Sequence, residues 1–478
     1  MREDWATSSR DLLIELRGTR RRAGLEDALR EAVSSGRLSP GTVLPSSRAL
    51  ATELALARNT VADAYGQLVA EGWLTARQGS GTQVADRPAA LAGTQPARRP
   101  GPAPGRRGYD LSSGSPDLAG FPRTAWLAAS RKALTAAPNS DFGYPDPRGL
   151  PALRETLAHY LARVRGVRTT PDRIVVCSGF AQALSLLSAT LRARGAVAMA
   201  LEAYGLSAHR DAVRAAGLAT TLLTVDASGA RTDQLAGPCA AVSGAGPGAV
   251  LLTPAHQFPV GVPLAAHRRS AALRWARASG GMIIEDDYDG EFRYDRRPLG
   301  ALQGLAPDLV AYAGTASKSL APGLGLAWLA LPPDLIDDVT QAKTLSDGYT
   351  GIFEQLALDE FIRSGGYDRH VRQSRLRYRR RRDRLVAAAA QRSPGVRVTG
   401  IAAGLHAVLE LGGGLRAADE PAIVSRAARA GLSIQGLGQF RRGGPADDAA
   451  LAALVLGYGT PPDHAFAGAL DTLFDVLA

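Results

Sequence analysis

The amino-acid sequence predicts an α/β protein of several domains: a small N-terminal helix-turn-helix with a wing, a linker, and a large domain built on a mainly parallel sheet. Three observations support this fold class. The length of 478 residues exceeds that of one typical domain. Residues 87–108 are rich in proline, glycine and arginine and have no hydrophobic periodicity. Beyond them, short unbroken apolar runs alternate with helical segments, as in sheets that helices cover on both faces.

The N-terminal piece, residues 10–86, is predicted to hold three helices and a hairpin. Apolar residues recur at helical spacing from Leu25 onward, and Ser46 is placed to cap a second helix after Pro45. A third helix is predicted over 59–71. Two short strands flank a glycine-rich turn and complete the wing: 73–77, the turn 78–81, and 82–84.

Composition excludes some classes of protein. The chain is 45% hydrophobic and 21% charged, and no stretch approaches 18 uninterrupted apolar residues, so we predict no membrane span. The N-terminus lacks the pattern of a signal peptide, and Cys177 and Cys239 cannot form a disulfide framework. We therefore expect a cytoplasmic protein. The net charge of +11 is compatible with a nucleic-acid partner but does not establish one.

A spaced set of residues in the head resembles the GntR-type winged helix-turn-helix. The matching positions cover about 60 residues, among them Pro40-Gly41, the stretch 44–51, Arg58-Asn59-Thr60-Val61, Glu71-Gly72-Trp73-Leu74 and the stretch 79–82. Taken singly, such side chains would be ordinary solvated residues, but the whole pattern favours double-stranded DNA as partner. The resemblance implies DNA contacts at the second helix, the start of the third and the wing: Arg48, Arg58, Asn59, Thr60, Gln78 and Gly79. Arginine can read guanine and asparagine can read adenine through paired hydrogen bonds.

Polar residues follow two apolar runs of the large domain. Asp286 and Tyr288 come after the run 282–284, and Lys318 comes after the run 309–313. Open α/β sheets bind ligands at the carboxyl ends of their strands. A pyridoxal phosphate site needs a lysine for a Schiff base, a carboxylate for the ring nitrogen, a donor for the ring oxygen and a phosphate cup. Residues 178–182, between a strand and a helix, could supply that cup through backbone N–H groups.

Other interpretations of the same residues remain open. The acidic cluster of residues 285–291 could hold a metal or form a glycosidase pair, but no second carboxylate group at suitable spacing supports either, so we predict no metal. His256 is expected to be structural. The nine arginines from Arg369 to Arg384 are expected to form a solvated helical face, with contact to DNA as the alternative.

The large domain, residues 109–478, resembles the fold-type I aminotransferase-like body of the MocR subfamily of regulators. The motifs that carry this resemblance are 144–154, 253–259, 285–288, 314–320 and Pro322-Gly323-Leu324. With the head, the resemblance covers nearly the whole chain. It implies a small C-terminal subdomain from about residue 370. It also implies a homodimer, with each head crossing over the partner's body.

The resemblance assigns a role to each candidate site residue. Lys318 would form the Schiff base with pyridoxal 5'-phosphate, and Asp286 would contact the ring nitrogen. Tyr288 and Gln257 would lie near the ring oxygen. The phosphate would be lined by Phe180, Ala181 and Thr315, and Tyr144 would reach the phosphate of the neighbouring subunit.

Three positions depart from the family pattern. The arginine that usually clamps the phosphate, seven residues beyond the lysine, is Gly325 here, which should weaken cofactor affinity. The segment that usually places an aromatic ring over the cofactor reads Glu202-Ala203-Tyr204-Gly205-Leu206. The stretch that carries the substrate-carboxylate arginine in true aminotransferases is apolar around Val455, which would orient two successive substrates poorly.

Three functions are compatible with these residues. The first is a transcription regulator whose effector is pyridoxal phosphate or its adduct with an amine, through a coupling free energy between ligand and DNA. The second is a regulator whose body has lost the cofactor and serves as a dimerisation scaffold. The third is a working aminotransferase with an accessory head.

Overall fold

The computed structural model describes residues 21–77, 81–86, 108–237, 246–294, 299–442 and 451–478. The chain divides into two compact units, Met1–Gly105 and Arg106–Ala478. The predicted DNA contacts Gln78 and Gly79 lie outside the described residues. Among the helices that are described, none combines the length and the apolar character needed to cross a bilayer.

The head unit contains three helices and a two-stranded antiparallel hairpin: α1 (Arg21–Ser34), α2 (Ser47–Glu53), α3 (Arg58–Ala70), β1 (Leu74–Arg77) and β2 (Gly81–Val84). Ser46 caps α2, because its Oγ accepts a hydrogen bond from the Ala49 N–H at 3.2 Å. The Tyr65 hydroxyl donates to the Pro45 carbonyl at 3.0 Å and ties α3 to the turn before α2. The helices enclose a small core that includes fully buried Leu25, Leu50 and Leu68.

A seven-stranded sheet forms the centre of the body. Its strand order is β4-β12-β11-β10-β9-β5-β6, and only β12 runs antiparallel to its neighbours. All residues of the five strands β4, β5, β9, β10 and β11 are buried, as expected for a sheet covered on both faces. The strands are β4 (Ile174–Cys177), β5 (Ala198–Glu202), β6 (Ala219–Leu223), β9 (Ala249–Leu252), β10 (Met282–Asp287), β11 (Val310–Thr315) and β12 (Ala327–Ala330).

Helices pack against this sheet and continue beyond it, and a small hairpin follows β6. The helices are α4 (Arg123–Ala136), α5 (Pro151–Arg165), α6 (Phe180–Ala193), α7 (Ser207–Ala215), α8 (Ala266–Ser279), α9 (Ile336–Ser346), α10 (Ile352–Arg363) and α11 (Gly366–Arg392). The hairpin consists of β7 (Val225–Asp226) and β8 (Gly229–Ala230).

A smaller α+β layer follows α11. Its four-stranded sheet has the order β13-β14-β17-β16, and it packs against α11 and two later helices. The first strand of the body, β3 (Tyr109–Asp110), pairs with β15 and so belongs to this layer. The remaining elements are β13 (Arg397–Thr399), β14 (His406–Glu410), α12 (Glu420–Arg429), β15 (Leu432–Ser433), β16 (Gln435–Gly436), β17 (Ala453–Gly457) and α13 (Asp463–Leu477).

Candidate functional site

The carboxyl ends of several neighbouring strands meet at one cavity in the body. Five strands end at this edge: β4, β5, β9, β10 and β11. β4 runs in the same direction as the other four because β12, which lies between β11 and β4, is antiparallel to both. The cavity brings together Phe180, Asp286, Tyr288, Thr315 and Lys318, which the sequence analysis singled out in three separate segments. These strand ends are where an open α/β sheet binds a ligand.

Lys318 lies in the loop between β11 and β12. Its Nζ donates to the Gly114 carbonyl at 2.6 Å. The next residue, Ser319, is fixed from α11: its Oγ accepts from the Tyr367 hydroxyl at 2.7 Å, and its carbonyl lies 2.8 Å from His370 Nε2. Burial lowers the pKa of Lys318, against the opposing effect of Asp286 and Asp289. A lowered pKa enlarges the uncharged, nucleophilic fraction of this amine.

The acidic residues of β10 differ in their hydrogen-bond and ion-pair partners. Glu285 accepts two backbone hydrogen bonds at 2.8 Å, from Leu302 and Gln303. Asp287 makes a bidentate pair with Arg165 at 2.6 and 3.0 Å and accepts from the Tyr312 hydroxyl at 2.8 Å. Both carboxylates therefore have structural partners.

Asp286 is the exception on this strand. It is 5% exposed, and its Oδ1 is buried with no hydrogen-bond partner among the described residues. Burial, with the neighbouring charge of Asp287, raises its pKa well above the usual range. A buried carboxylate oxygen without a donor is costly, so it suits a ligand that brings an N–H to it.

Tyr288 belongs to a buried polar cluster behind the cavity. Its hydroxyl lies 3.2 Å from His256 Nδ1, which also contacts Asp289 at 2.8 Å. His406 lies close by, and its Nε2 contacts the Pro259 carbonyl at 3.0 Å. Ligand atoms of His256, Asp289 and His406 lie within 4.8 Å of one another, a grouping that could hold a metal ion. Hydrogen bonds already occupy these atoms, and we keep the structural interpretation of His256.

The predicted phosphate cup lies at the start of α6. Phe180 and Ala181 are in its first turn, whose N–H groups have no partner within the helix. Phe180 lines the cavity, whereas Ala181 is exposed and does not. Thr315 Oγ1 donates to the Leu326 carbonyl and accepts from the Ser317 N–H at 3.1 Å. A Cβ on Gly325 would lie 3.5 Å from the Ser178 carbonyl, so this position does face the cup.

Besides Ala181, two predicted site residues do not line the cavity. Gln257 is buried, and its amide donates to Glu202, to the Tyr204 carbonyl and to the Phe258 carbonyl at 2.7–3.2 Å. The neighbouring Phe258 contacts the cavity in its place. Tyr144 is 95% exposed, with its ring 6.2 Å from that of Tyr349. Its role toward a partner subunit stays a prediction.

Several cavity residues escaped the sequence analysis. Glu202 is buried and accepts from Thr253 Oγ1 at 2.5 Å. His209 lies 4.8 Å from the Phe180 ring, and burial lowers its pKa to about 3, so the imidazole is neutral. Arg442 is 5% exposed, and its Nε is buried with no partner among the described residues. No motif marks Arg442 in the sequence, since only folding brings it to β5.

Arg442 changes the expectation that this site has no arginine for a ligand carboxylate, which was based on the apolar stretch around Val455. Val455 is fully buried in an apolar cluster with Phe440 and Phe258, so it offers no charge to a ligand. Arg442 nevertheless supplies a cation to the same cavity. Its backbone N–H donates to the Ala203 carbonyl at 2.7 Å, and burial lowers its pKa to about 10. Leu206, where the family has an aromatic ring, also lines the cavity.

The residues at this cavity fit pyridoxal phosphate. Lys318 offers a half-buried amine, Asp286 a carboxylate oxygen without a partner among the described residues, and Tyr288 a hydroxyl, and all three residues line the cavity. Thr315, Ser317 and the start of α6 provide hydroxyl and amide donors. The missing element is the phosphate arginine, replaced by Gly325.

The predicted base-reading residues occupy the first turn of α3 in the head. The helix begins at Arg58, one residue before the predicted start, and continues with Asn59 and Thr60. Arg58 and Asn59 are exposed, as is Arg48 in α2. The buried face of α3 carries Val61, Ala64 and Leu68, so its polar start is free to enter a DNA groove.

Comparison with known proteins assigns the class of protein. Residues 21–84 match the family model "Bacterial regulatory proteins, gntR family", and residues 107–420 match "Aminotransferase class I and II". The fold and the site thus define a DNA-binding transcription regulator with an aminotransferase-like body. Within that class, the chain belongs to the HTH-type transcriptional regulators of the MocR and GntR type.

Relatives and solved structures agree with this family. The chain is 31% identical over 461 residues, 95% of each protein, to the HTH-type pyridoxine biosynthesis transcriptional regulator PdxR of Corynebacterium glutamicum. It is 30% identical over 381 residues, 76% of each, to the probable rhizopine catabolism regulatory protein MocR of Rhizobium meliloti. Kynurenine aminotransferase of Pyrococcus horikoshii shares the fold, with a TM-score of 0.67 at 23% identity over 78% of this chain and 91% of that one. The predicted family and fold class are confirmed.

Proposed function

We propose that the body of this regulator binds pyridoxal phosphate, or its adduct with an amine, as the effector that changes DNA binding by the head. The observation that carries the proposal is the buried, unpartnered Oδ1 of Asp286 in the cavity that also holds Lys318. A cofactor-free scaffold would gain nothing from such a carboxylate, because an unsatisfied buried polar group costs about 1–3 kcal/mol.

Each residue has a defined task in this proposal. Pyridoxal phosphate, when bound, supplies an aldehyde that reacts with amines. Lys318 Nζ would hold that carbon covalently, with loss of the aldehyde oxygen as water, and its lowered pKa favours the uncharged, attacking amine. Asp286 would accept a hydrogen bond from the protonated ring nitrogen, and Tyr288 would donate one to the ring oxygen. Phe180, Thr315 and the start of α6 hold the phosphate, while Gly325 leaves the binding weaker and reversible.

Arg442 favours an effector amine that carries an acidic group. Its guanidinium is buried beside Glu202, and its charge acts on both Glu202 and Asp286. An incoming carboxylate would pair with it in a charge-assisted hydrogen bond. The same residue supports the second candidate function, an aminotransferase, because it could orient a substrate carboxylate.

We further propose a homodimer that acts on DNA in the cytoplasm. Four exposed aromatic side chains lie in two contacting pairs on the body: Phe142, Tyr144, Tyr349 and Phe353. Phe142 and Phe353 lie 6.3 Å apart, and Tyr144 and Tyr349 lie 6.2 Å apart. Contiguous exposed apolar surface is typical of protein interfaces.

The proposal is tested by adding pyridoxal phosphate to the purified protein. We expect a visible absorption band, and borohydride reduction should add the cofactor mass to the peptide that contains Lys318. Both signals should vanish in Lys318→Ala and remain in Lys132→Ala, which removes an exposed lysine paired with Glu360. Affinity for DNA selected from a random library should then change with cofactor only when Lys318 is present.

Each other result points to a different function. The absence of any band would support the cofactor-free scaffold. A band with sustained turnover of amino and keto acids would support the aminotransferase. A band that persists in Lys318→Ala would refute the assignment of the attachment site.

A further inference from the structure

The solvent-facing side of α11 carries arginines without acidic partners. Nine arginines lie between Arg369 and Arg384. Arg381 is buried and pairs with Asp117 and Asp463 at 2.8 and 2.5 Å, so its role is structural. Six others are exposed. Arg379 lies 4.0 Å from Asp383 and Arg375 donates to the Glu291 carbonyl, whereas the remaining four have no carboxylate within 4.0 Å among the residues that the structure describes: Arg369, Arg372, Arg380 and Arg384.

Helical spacing places these arginines in one row. At 100° per residue, Arg369, Arg372 and Arg380 fall within an arc of about 80°, opposite the buried face that holds Tyr378 and Leu385. From Arg369 to Arg384 the row is about 22 Å long. The row is therefore linear rather than a single cluster, and exposed Leu376 and Asp383 lie on the same arc between its arginines.

Two clefts border this row, and both have a surplus of positive charge. One, of about 500 Å³, is lined by Arg372 and Arg375, and the other, of about 530 Å³, by Arg380 and Arg384. Their acidic residues are already engaged: Asp368 pairs with Arg163 at 2.8 Å and Asp463 with Arg381. Burial raises the pKa of Glu291, in the first cleft, to about 7, which reduces its negative charge.

We propose that this arginine row on α11 is a second DNA-contacting surface, which binds the phosphates of duplex DNA independently of the head. A single small anion would need only one cleft, whereas a row of about 22 Å matches about six base pairs at 3.4 Å each. Duplex DNA is the linear polyanion that this regulator already binds. Exposed arginines that contact phosphates add affinity without reading sequence.

The test uses the full-length protein and a mixed-sequence 40-base-pair duplex in a salt titration. We expect Arg372→Gln/Arg380→Gln to reduce the slope of log affinity against log salt by about 2, because each lost phosphate contact removes about 0.9. The matched control, Arg274→Gln/Arg277→Gln, removes two exposed arginines of α8 that have no carboxylate within 4.0 Å among the described residues. It should leave the slope unchanged.

Further readouts separate this proposal from base reading by the head. Phosphate contacts weaken all duplexes equally, so the α11 variant should keep the sequence preference that Arg58→Ala changes. Its thermal midpoint should match the wild type, since both arginines are exposed. An unchanged slope, or an equal fall in the α8 control, would overturn the proposal. If the α11 variant lost as much affinity for single-stranded RNA of the same length as for duplex DNA, the assignment to duplex DNA would be overturned.

Discussion

At the residue scale, three neighbouring carboxylates of β10 show what the sequence could predict about the site. It located the acidic residues, but it could not tell which of them has no hydrogen-bond partner. Glu285, Asp286 and Asp287 are consecutive in the sequence, and their spacing says nothing of their partners. The partners come from distant segments: residues 302 and 303 for Glu285, and Arg165 and Tyr312 for Asp287. Only the folded chain leaves Asp286 without one.

This difference predicts opposite effects of two similar substitutions in the cofactor-free protein. Asp286→Asn should raise the unfolding free energy of the body by about 1–3 kcal/mol at pH 8, because it removes an unsatisfied buried carboxylate. Asp287→Asn should lower it by about 3–5 kcal/mol, since it leaves the buried Arg165 unpaired. Urea unfolding of both variants measures the difference. Destabilisation by both would contradict the proposed state of Asp286.

The same carboxyl predicts a pH dependence. Its pKa in the folded protein is raised above the unfolded value of about 3.9, so between these values the folded state binds more protons. The stability contributed by Asp286 is therefore present at low pH and lost as the pH rises through the folded pKa. The gap between Asp286→Asn and wild type should close toward pH 4 and open toward pH 8. A gap that is constant with pH would count against this titration.

At the element scale, the recognition helix was predicted closely and the central sheet less completely. The third helix of the head was expected over 59–71 and runs over Arg58–Ala70, because its apolar residues Val61, Ala64 and Leu68 recur at helical spacing. The antiparallel strand β12 was missed. The run 326–331 is as apolar as those of the other strands, but its antiparallel direction and its place between β11 and β4 depend on long-range pairing.

The position of Arg58 at the start of α3 predicts a loss of sequence preference. Arg58→Ala should cost about 1–3 kcal/mol on the preferred DNA and much less on mixed-sequence DNA, because a base contact is lost. The control is Arg22→Ala on α1, whose side chain pairs with Glu26 at 2.8 Å. Binding to selected and mixed duplexes by fluorescence anisotropy gives both values. Equal weakening on the two DNAs would assign Arg58 to the phosphate backbone instead.

At the scale of the whole molecule, the two pairs of exposed aromatic side chains predict a dimer that a single charge disrupts. Phe353 is 59% exposed and lies against Phe142. Phe353→Glu should weaken self-association at least 100-fold, because a carboxylate would be buried in an apolar contact. Sedimentation velocity at micromolar concentration measures the change. Leu305→Glu, at another residue 60% exposed, should leave association intact. A fully dimeric Phe353→Glu would place the interface elsewhere.

The pairing of β3 with β15 determines which part of the body contacts the first residues of the body unit. The Tyr109 N–H donates to the Gly431 carbonyl at 2.8 Å, and the Leu111 N–H donates to the Ser433 carbonyl at 2.9 Å. The first residues after the predicted linker are thus hydrogen-bonded to the small C-terminal layer and not to the large sheet. Arg442 lies in the chain that continues from this layer into the cavity. A ligand that displaces Arg442 would therefore act on the same C-terminal layer to which the start of the body, Tyr109 to Leu111, is hydrogen-bonded.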